Sequence, residues 1–187
     1  MDALIKHVEE ARELNLREIY AATEMLLSES VTDEKKVVFL RGLTAKGETA
    51  AEIAGFVEAF LERAVDPGVS EMNFSGPTID VCGTGGDKLN LFNVSTTSMF
   101  VIAAGGAVVV KHGNRGITSK SGGADVLEAL GVKIDVTPEV FRNCLEAAGV
   151  GFLFAPIYHP AFKAVVGVRK ILAQEGIRTI FNLIGPL

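Results

Sequence analysis

Thr78-Ile-Asp-Val-Cys82 runs straight into Gly83-Thr-Gly-Gly-Asp87, and that junction decides the fold. A short β-rich run that stops at clustered glycines is a strand end turning into a loop. The alternation then repeats. Ser95 to Ala104 predicts a helix, Ala107 to Val110 a buried strand, and Gly122 to Leu130 a second helix. Pro138 to Ala148 predicts a helix capped by Thr137, Phe152-Leu-Phe154 a strand, and His159 to Gln174 a helix. Such strand–loop–helix succession implies an α/β domain with a mainly parallel sheet. Ten of the 20 glycines lie between Gly83 and Gly131, so in that stretch the backbone turns sharply or approaches something closely.

Upstream the pattern is helical. Leu16, Ile19, Tyr20, Thr23, Leu26 and Leu27 recur at three- and four-residue spacing behind Asn15, a suitable N-cap. Thr32 with Asp33 and Glu34 marks another start, ahead of Val37, Val38, Leu40 and Leu43. Thr49 and Glu52 stand at capping-box spacing before Ile53, Phe56, Val57, Phe60 and Leu61, and Asp66-Pro67-Gly68 ends that helix. Short helices with apolar stripes must bury them in a bundle, against a partner subunit, or both. The expected architecture is therefore a small N-terminal helical domain over residues 1–70. Part of a larger α/β domain with a mainly parallel sheet follows over 76–187, and the stretch up to Pro77 connects the two.

Composition narrows the function. The 187 residues are 48% hydrophobic and 22% charged, an ordinary globular balance. No apolar run approaches the roughly 18–20 residues of a membrane helix, so a membrane partner is not expected. The start, MDALIKHVEEARELN, lacks the apolar core of a secretory signal. Cys82 and Cys144 lie far apart and in no metal spacing, which suits reduced thiols in a cytoplasmic protein, and His7, His112 and His159 are too scattered for a histidine-rich metal centre. The net charge of −5 is uneven: residues 1–75 hold 8 Lys/Arg against 15 Asp/Glu, and residues 76–187 hold 10 against 8. An acidic front half argues against a broad nucleic-acid surface.

Three constellations carry candidate chemistry. The glycine turn at 83–87 exposes consecutive N–H groups of the kind that cradle phosphate, although a tight turn alone would also use these glycines. It is neither a Walker A loop nor the dinucleotide fingerprint, whose third glycine would fall at Lys88. Asn93-Val-Ser-Thr96 opens a helix with two hydroxyls and an amide, which suits a phosphate cradle or plain N-capping. Lys111-His-Gly-Asn-Arg-Gly-Ile-Thr-Ser-Lys-Ser-Gly-Gly123 follows a buried strand, where open α/β sheets keep their ligand loops; a solvated basic loop is the alternative. Together the three loops imply a ligand with more than one phosphate, together with magnesium.

The same motifs, in the same order, resemble the anthranilate phosphoribosyltransferases: Gly83-Thr-Gly-Gly-Asp87, Asn93-Val-Ser-Thr96, Lys111-His-Gly-Asn-Arg115, Ser119-Lys-Ser-Gly122 and Ala124-Asp-Val-Leu-Glu-Ala-Leu-Gly131. Gly151-Phe-Leu-Phe-Ala-Pro156, His159-Pro-Ala161, Arg178-Thr-Ile-Phe-Asn182 and Gly185-Pro-Leu187 extend the resemblance over essentially the whole chain. It implies a small helical domain that forms a homodimer contact, joined to an α/β domain. It also implies transfer of the phosphoribosyl group of phosphoribosyl pyrophosphate to the amine of anthranilate, with magnesium (Mg2+), in tryptophan synthesis. The products would be N-(5-phosphoribosyl)anthranilate and pyrophosphate.

By matching position, phosphoribosyl pyrophosphate would be held by Gly83, Gly86, Asp87, Asn93, Val94, Ser95, Thr96, Lys111, His112, Gly113, Asn114, Arg115, Gly116, Ile117, Thr118, Ser119 and Gly123. Ser95 would also touch magnesium, and Gly83, Asn114 and Arg169 would contact anthranilate. No residue is implied as a general acid or base, because an aromatic amine needs no strong base to attack.

The chain departs from the family pattern at Leu91, where a threonine is usual, and at Gly123, where a small residue such as serine is common. Ile171-Leu-Ala-Gln-Glu-Gly176 is slightly longer than the usual turn, which leaves Arg169 less firmly placed than the loops. Family members continue beyond Leu187 and there supply an Asp-Glu pair for a second magnesium; Asp33-Glu34 in the helical region is no counterpart. The chain is therefore expected to be the N-terminal part of such an enzyme, with exposed apolar sheet edges and a tendency to aggregate by itself. Two other readings remain: a non-catalytic member of the fold that binds nucleic acid or another ligand, and a pyrimidine nucleoside phosphorylase, whose glycine loops match poorly.

Overall fold

The computed structural model describes residues 1–83, 92–116 and 121–185, which divide into two compact units, one of residues 1–64 with 160–187 and the other of residues 65–159.

In the first unit, α1 (Asp2–Glu9), α2 (Leu16–Leu27), α3 (Asp33–Lys46) and α4 (Ala50–Leu61) follow one another through short turns. The two predicted starts at Asn15 and Thr49 are full capping boxes, with Glu18 and Glu52 returning the bond to the cap amide. Helix α4 ends at Leu61, before the expected Asp66-Pro67-Gly68 stop. The amides of Arg63 and Ala64 there reach back to Phe60 and Leu61, which tightens the last turn. Leu26, Phe39, Leu40, Leu43 and Phe56 are fully buried.

The residues after His159 complete this core rather than the sheet unit: Val165, Val168, Leu172, Ile180 and Phe181 all belong to it. The single helix expected over 159–174 is instead a 3-10 stretch, Pro160–Val165, leading into α9 (Val166–Gln174). Lys36 explains the break. Its side chain is buried and its Nζ donates to the Ala164 carbonyl at 3.1 Å, taking an acceptor that a continuing helix would use. After α9 comes the short helix α10 (Ile180–Leu183), whose Phe181 meets Phe60 and Phe162 at ring-centroid distances of 5.4 and 5.6 Å.

The second unit is built on a three-stranded parallel sheet in the order β1 (Thr78–Ile79), β2 (Val108–Gly113), β3 (Val150–Phe154). Strand β1 is shorter than Thr78–Cys82 because its continuation bonds through side chains: Nζ of Lys111 takes the Val81 carbonyl at 2.6 Å, and His112 takes the Asp80 carboxylate. Strand β2 in turn runs three residues beyond Val110, so Lys111, His112 and Gly113 are strand residues rather than loop residues. Helices α5 (Val94–Ala104) and α6 (Gly123–Ala129) cover one face, with Met99, Ala124 and Leu127 packed on Val109 and Phe152. Helix α7 (Pro138–Ala148) covers the other, with Phe141 and Leu145 on Val108. Adjacent Val108 and Val109 thus face opposite layers, as strand alternation requires. The short helix α8 (Ala155–Tyr158) closes the unit.

Candidate functional site

Gly83 at the entry to the glycine loop, the start of α5 and the end of β2 belong to the second unit. A Cβ placed on Gly83 would stand 3.9 Å from Ser95 Oγ. One placed on Gly123 would stand 2.9 Å from Thr96 Oγ1 and 3.9 Å from Lys111 Cε, so Gly123, Thr96 and Lys111 meet with no room for a side chain at 123. Gly122 sits against the backbone of Asn114, Arg115 and Gly116, with the nearest atom 2.3 Å from its notional Cβ. The glycines let two loops pack backbone to backbone.

Helix α5 starts without a side-chain cap. Asn93 instead donates from Nδ2 to the Ser121 carbonyl at 3.4 Å, tying this start to the loop after β2. Among the described residues no side chain accepts from the first-turn amides of α5, which carry the positive end of the helix dipole, and that favours an anion. Thr96 is buried, and its Oγ1 has no hydrogen-bond partner among the described residues. Lys111 is 3% exposed; its ammonium bonds the Val81 carbonyl. Burial lowers its proton affinity, and the charges of Asp80 and Cys82 oppose that shift.

Gly116 and Gly122, which flank residues 117–121, are clasped by one carboxylate. Asp125 accepts from the amides of Gly116 at 2.8 Å and Gly122 at 2.6 Å, bonds that hold its carboxyl below the usual range. Arg115 forms a bidentate pair with Glu128, lies 3.6 Å from Asp125 and stacks 5.5 Å from the Phe154 ring centroid; the Glu128 bond raises its proton affinity. Asn114 turns its Oδ1 back to the Arg115 amide at 2.8 Å, and its carbonyl accepts from Ala124 at 3.3 Å. His159 also belongs to this unit, and burial, then the charge of His112, lowers its proton affinity.

The described site thus contains Gly83, Asn93, Val94, Ser95, Thr96, Lys111, His112, Gly113, Asn114, Arg115, Gly116 and Gly123. Gly86, Asp87, Ile117, Thr118 and Ser119, with the departure at Leu91, lie outside the described residues. Arg169 belongs to the first unit, on α9, where it lies 5.5 Å from the Phe181 ring centroid and burial lowers its proton affinity. Sequence reasoning gave no role to Asp80 or Asp125, which organise these loops. Asp125 was signalled by its capping-box spacing from Gly122. Asp80 carries no such local signal, because its partner is 32 residues away.

Among the described residues no group of three or more His, Cys, Asp and Glu is placed to hold a metal ion. Ser95 does offer a hard oxygen beside the glycine loop, which suits magnesium, an ion that takes one or two protein oxygens and completes its shell with phosphate and water.

The second unit thus pairs a parallel sheet with an anion-seeking helix start and a buried lysine, and the first is a helical bundle. The chain belongs to the glycosyl transferase family, whose helical bundle domain matches residues 2–64 and whose a/b domain matches residues 75–187. Within it the chain is similar to anthranilate phosphoribosyltransferases: it is 50% identical over its whole length to that of Methanosarcina acetivorans, of which it covers 49%. The crystal structure of the Thermus thermophilus enzyme superposes on 98% of the chain with a TM-score of 0.82 at 39% identity, and the chain covers 54% of it. The Saccharomyces cerevisiae enzyme in complex with PRPP and Mg gives 0.81 at 28% identity over 99% of the chain, which covers 54% of that structure. The chain spans about half the length of the relatives it matches.

Proposed function

We propose that this chain binds phosphoribosyl pyrophosphate and serves the transfer of its phosphoribosyl group to anthranilate in tryptophan synthesis. The observation that carries the reading is the close approach of Gly83 to Ser95 and of Gly123 to Thr96 and Lys111 at the start of α5. The yeast relative in complex with PRPP and Mg supports the choice of ligand.

Displacing pyrophosphate from an anomeric carbon builds positive charge on the ribose and negative charge on the leaving group. The α5 amides and the Lys111 ammonium are fixed in place before reaction, so they stabilise that leaving charge without reorganising. Ser95 would hold magnesium, which when bound neutralises pyrophosphate charge. Gly83 and Asn114 would border the amine, and Arg169 would grip the anthranilate carboxylate as a bidentate donor. With no general base required, His112 and His159 shape the pocket. A homodimer formed through the helical region and a cytoplasmic location complete the proposal. No helix among the described residues is long and apolar enough to cross a membrane.

Incubation with phosphoribosyl pyrophosphate, magnesium and anthranilate tests it. A loss of anthranilate fluorescence that depends on phosphoribosyl pyrophosphate is the expected result. Binding without turnover would favour an inactive fragment. Phosphorolysis of thymidine would favour the nucleoside phosphorylase reading, and retention on DNA at physiological salt without turnover the nucleic-acid reading.

A further inference from the structure

Strand β1 stops at Ile79 opposite Val109 while β2 runs on to Gly113, and three side chains carry their contact past that last ladder pair. Asp80, one residue beyond β1, accepts a hydrogen bond from Nδ1 of His112 in β2. Nε2 of the same ring lies 3.3 Å from Sγ of Cys82, the residue before Gly83. The carboxylate fixes one proton. An ionised carboxylate only accepts, so Nδ1 carries the hydrogen, and in the neutral form of the ring Nε2 presents its lone pair to the thiol. Burial, then the Asp80 charge, pushes the Cys82 thiol up, so an S–H is available to donate. Burial alone would also raise Asp80, but the His112 bond and charge, with Lys111, hold it below the usual carboxylate range. The titratable groups facing His112 are thus Asp80, Cys82, Lys111 and His159.

We infer that Asp80 is a positioning residue: by holding His112 it ties Cys82, and with it Gly83, to the end of β2 and sets the spacing between these two segments. Asp80 acts through His112 and need not touch ligand. The consequence for ligand rests on the proposed function.

The test is imidazole nitrogen NMR of the full 187-residue chain at about pH 8, where free imidazole is neutral. The unmodified chain is expected to hold His112 as the single Nδ1–H form. Asp80→Asn keeps the side chain's size and removes its charge. It should release the ring to a mixture of forms and speed alkylation of Cys82 about threefold, because the thiol is freed and its proton affinity falls. Exposed Cys144 serves as the internal reference. The dissociation constant for phosphoribosyl pyrophosphate with magnesium should rise about tenfold.

An unmodified chain with its His112 hydrogen on Nε2 would overturn the inference, a result that needs no folded variant. So would an Asp80→Asn chain whose ring and thiol behave as in the unmodified protein, or one whose freed ring leaves the affinity unchanged. Failure of the unmodified chain to bind phosphoribosyl pyrophosphate would count against the proposed function instead, and the ring and thiol results would still decide whether Asp80 links the two segments.

Discussion

Thr96 shares with Thr23 and Tyr158 a buried hydroxyl that has no hydrogen-bond partner among the described residues, and unlike them it lies at a candidate ligand-binding helix start. Such a hydroxyl costs roughly 1–3 kcal/mol in a folded protein. A site that awaits a phosphate or hydroxyl oxygen accounts for keeping it. Thr96→Val preserves the shape and removes the orphaned oxygen. Urea unfolding of that variant is expected to give a chain about 1 kcal/mol more stable, with weaker binding of phosphoribosyl pyrophosphate. Unchanged affinity would remove Thr96 from the site. Composition and spacing singled out Thr96 as one of several hydroxyls at a helix start, but they carried no sign that its bond would be missing. That depends on Gly123, which approaches it from another element.

At the level of elements, local grammar was legible wherever the partner is nearby in sequence. Asn15 with Glu18 and Thr49 with Glu52 are caps readable at three-residue spacing. Two of the boundaries that moved did so because distant side chains took backbone acceptors: Lys111 at Val81 shortens β1, and Lys36 at Ala164 delays α9. Glu52 also does more than its cap predicts. Its fully buried carboxylate accepts from Lys46 at 2.7 Å, the Leu14 amide at 2.8 Å and the Thr49 amide at 2.9 Å. Burial alone would raise it, and these bonds outweigh burial to hold it below its ordinary value of 4.5. Its contribution is therefore complete above the unfolded value of 4.5 and is lost as pH falls from there through the lower value of the folded state.

Lys46→Met leaves the carboxylate buried without its cation and is expected to cost about 3 kcal/mol at neutral pH, with a smaller loss near pH 4 once Glu52 takes a proton. Denaturant melts at the two pH values check the sign. In the sheet unit, Gly122→Ala would drive a methyl into backbone at 2.3–2.6 Å, and about 1–3 kcal/mol of destabilisation is expected from thermal melts.

For the whole molecule, the glycine-marked strand ends and the helical front half were enough to anticipate both layers of the fold. The family motifs gathered most of the candidate site. What the sequence could not reveal is that residues 160–187 pack with the first 64 rather than with the sheet unit, because their apolar stripe fits either core. Apolar side chains also stay in solvent on the sheet unit: Val101 is 69% exposed on α5 and Ile79 40% exposed on edge strand β1. Such surface invites association.

The central claim is that the loops around Lys111 hold a doubly phosphorylated sugar, and a calorimetric titration of the 187-residue chain with phosphoribosyl pyrophosphate and magnesium tests it most directly. Saturable one-site binding that Lys111→Met weakens by about tenfold or more is the predicted result. An absence of heat with the unmodified chain, or equal affinity in the variant, would contradict it.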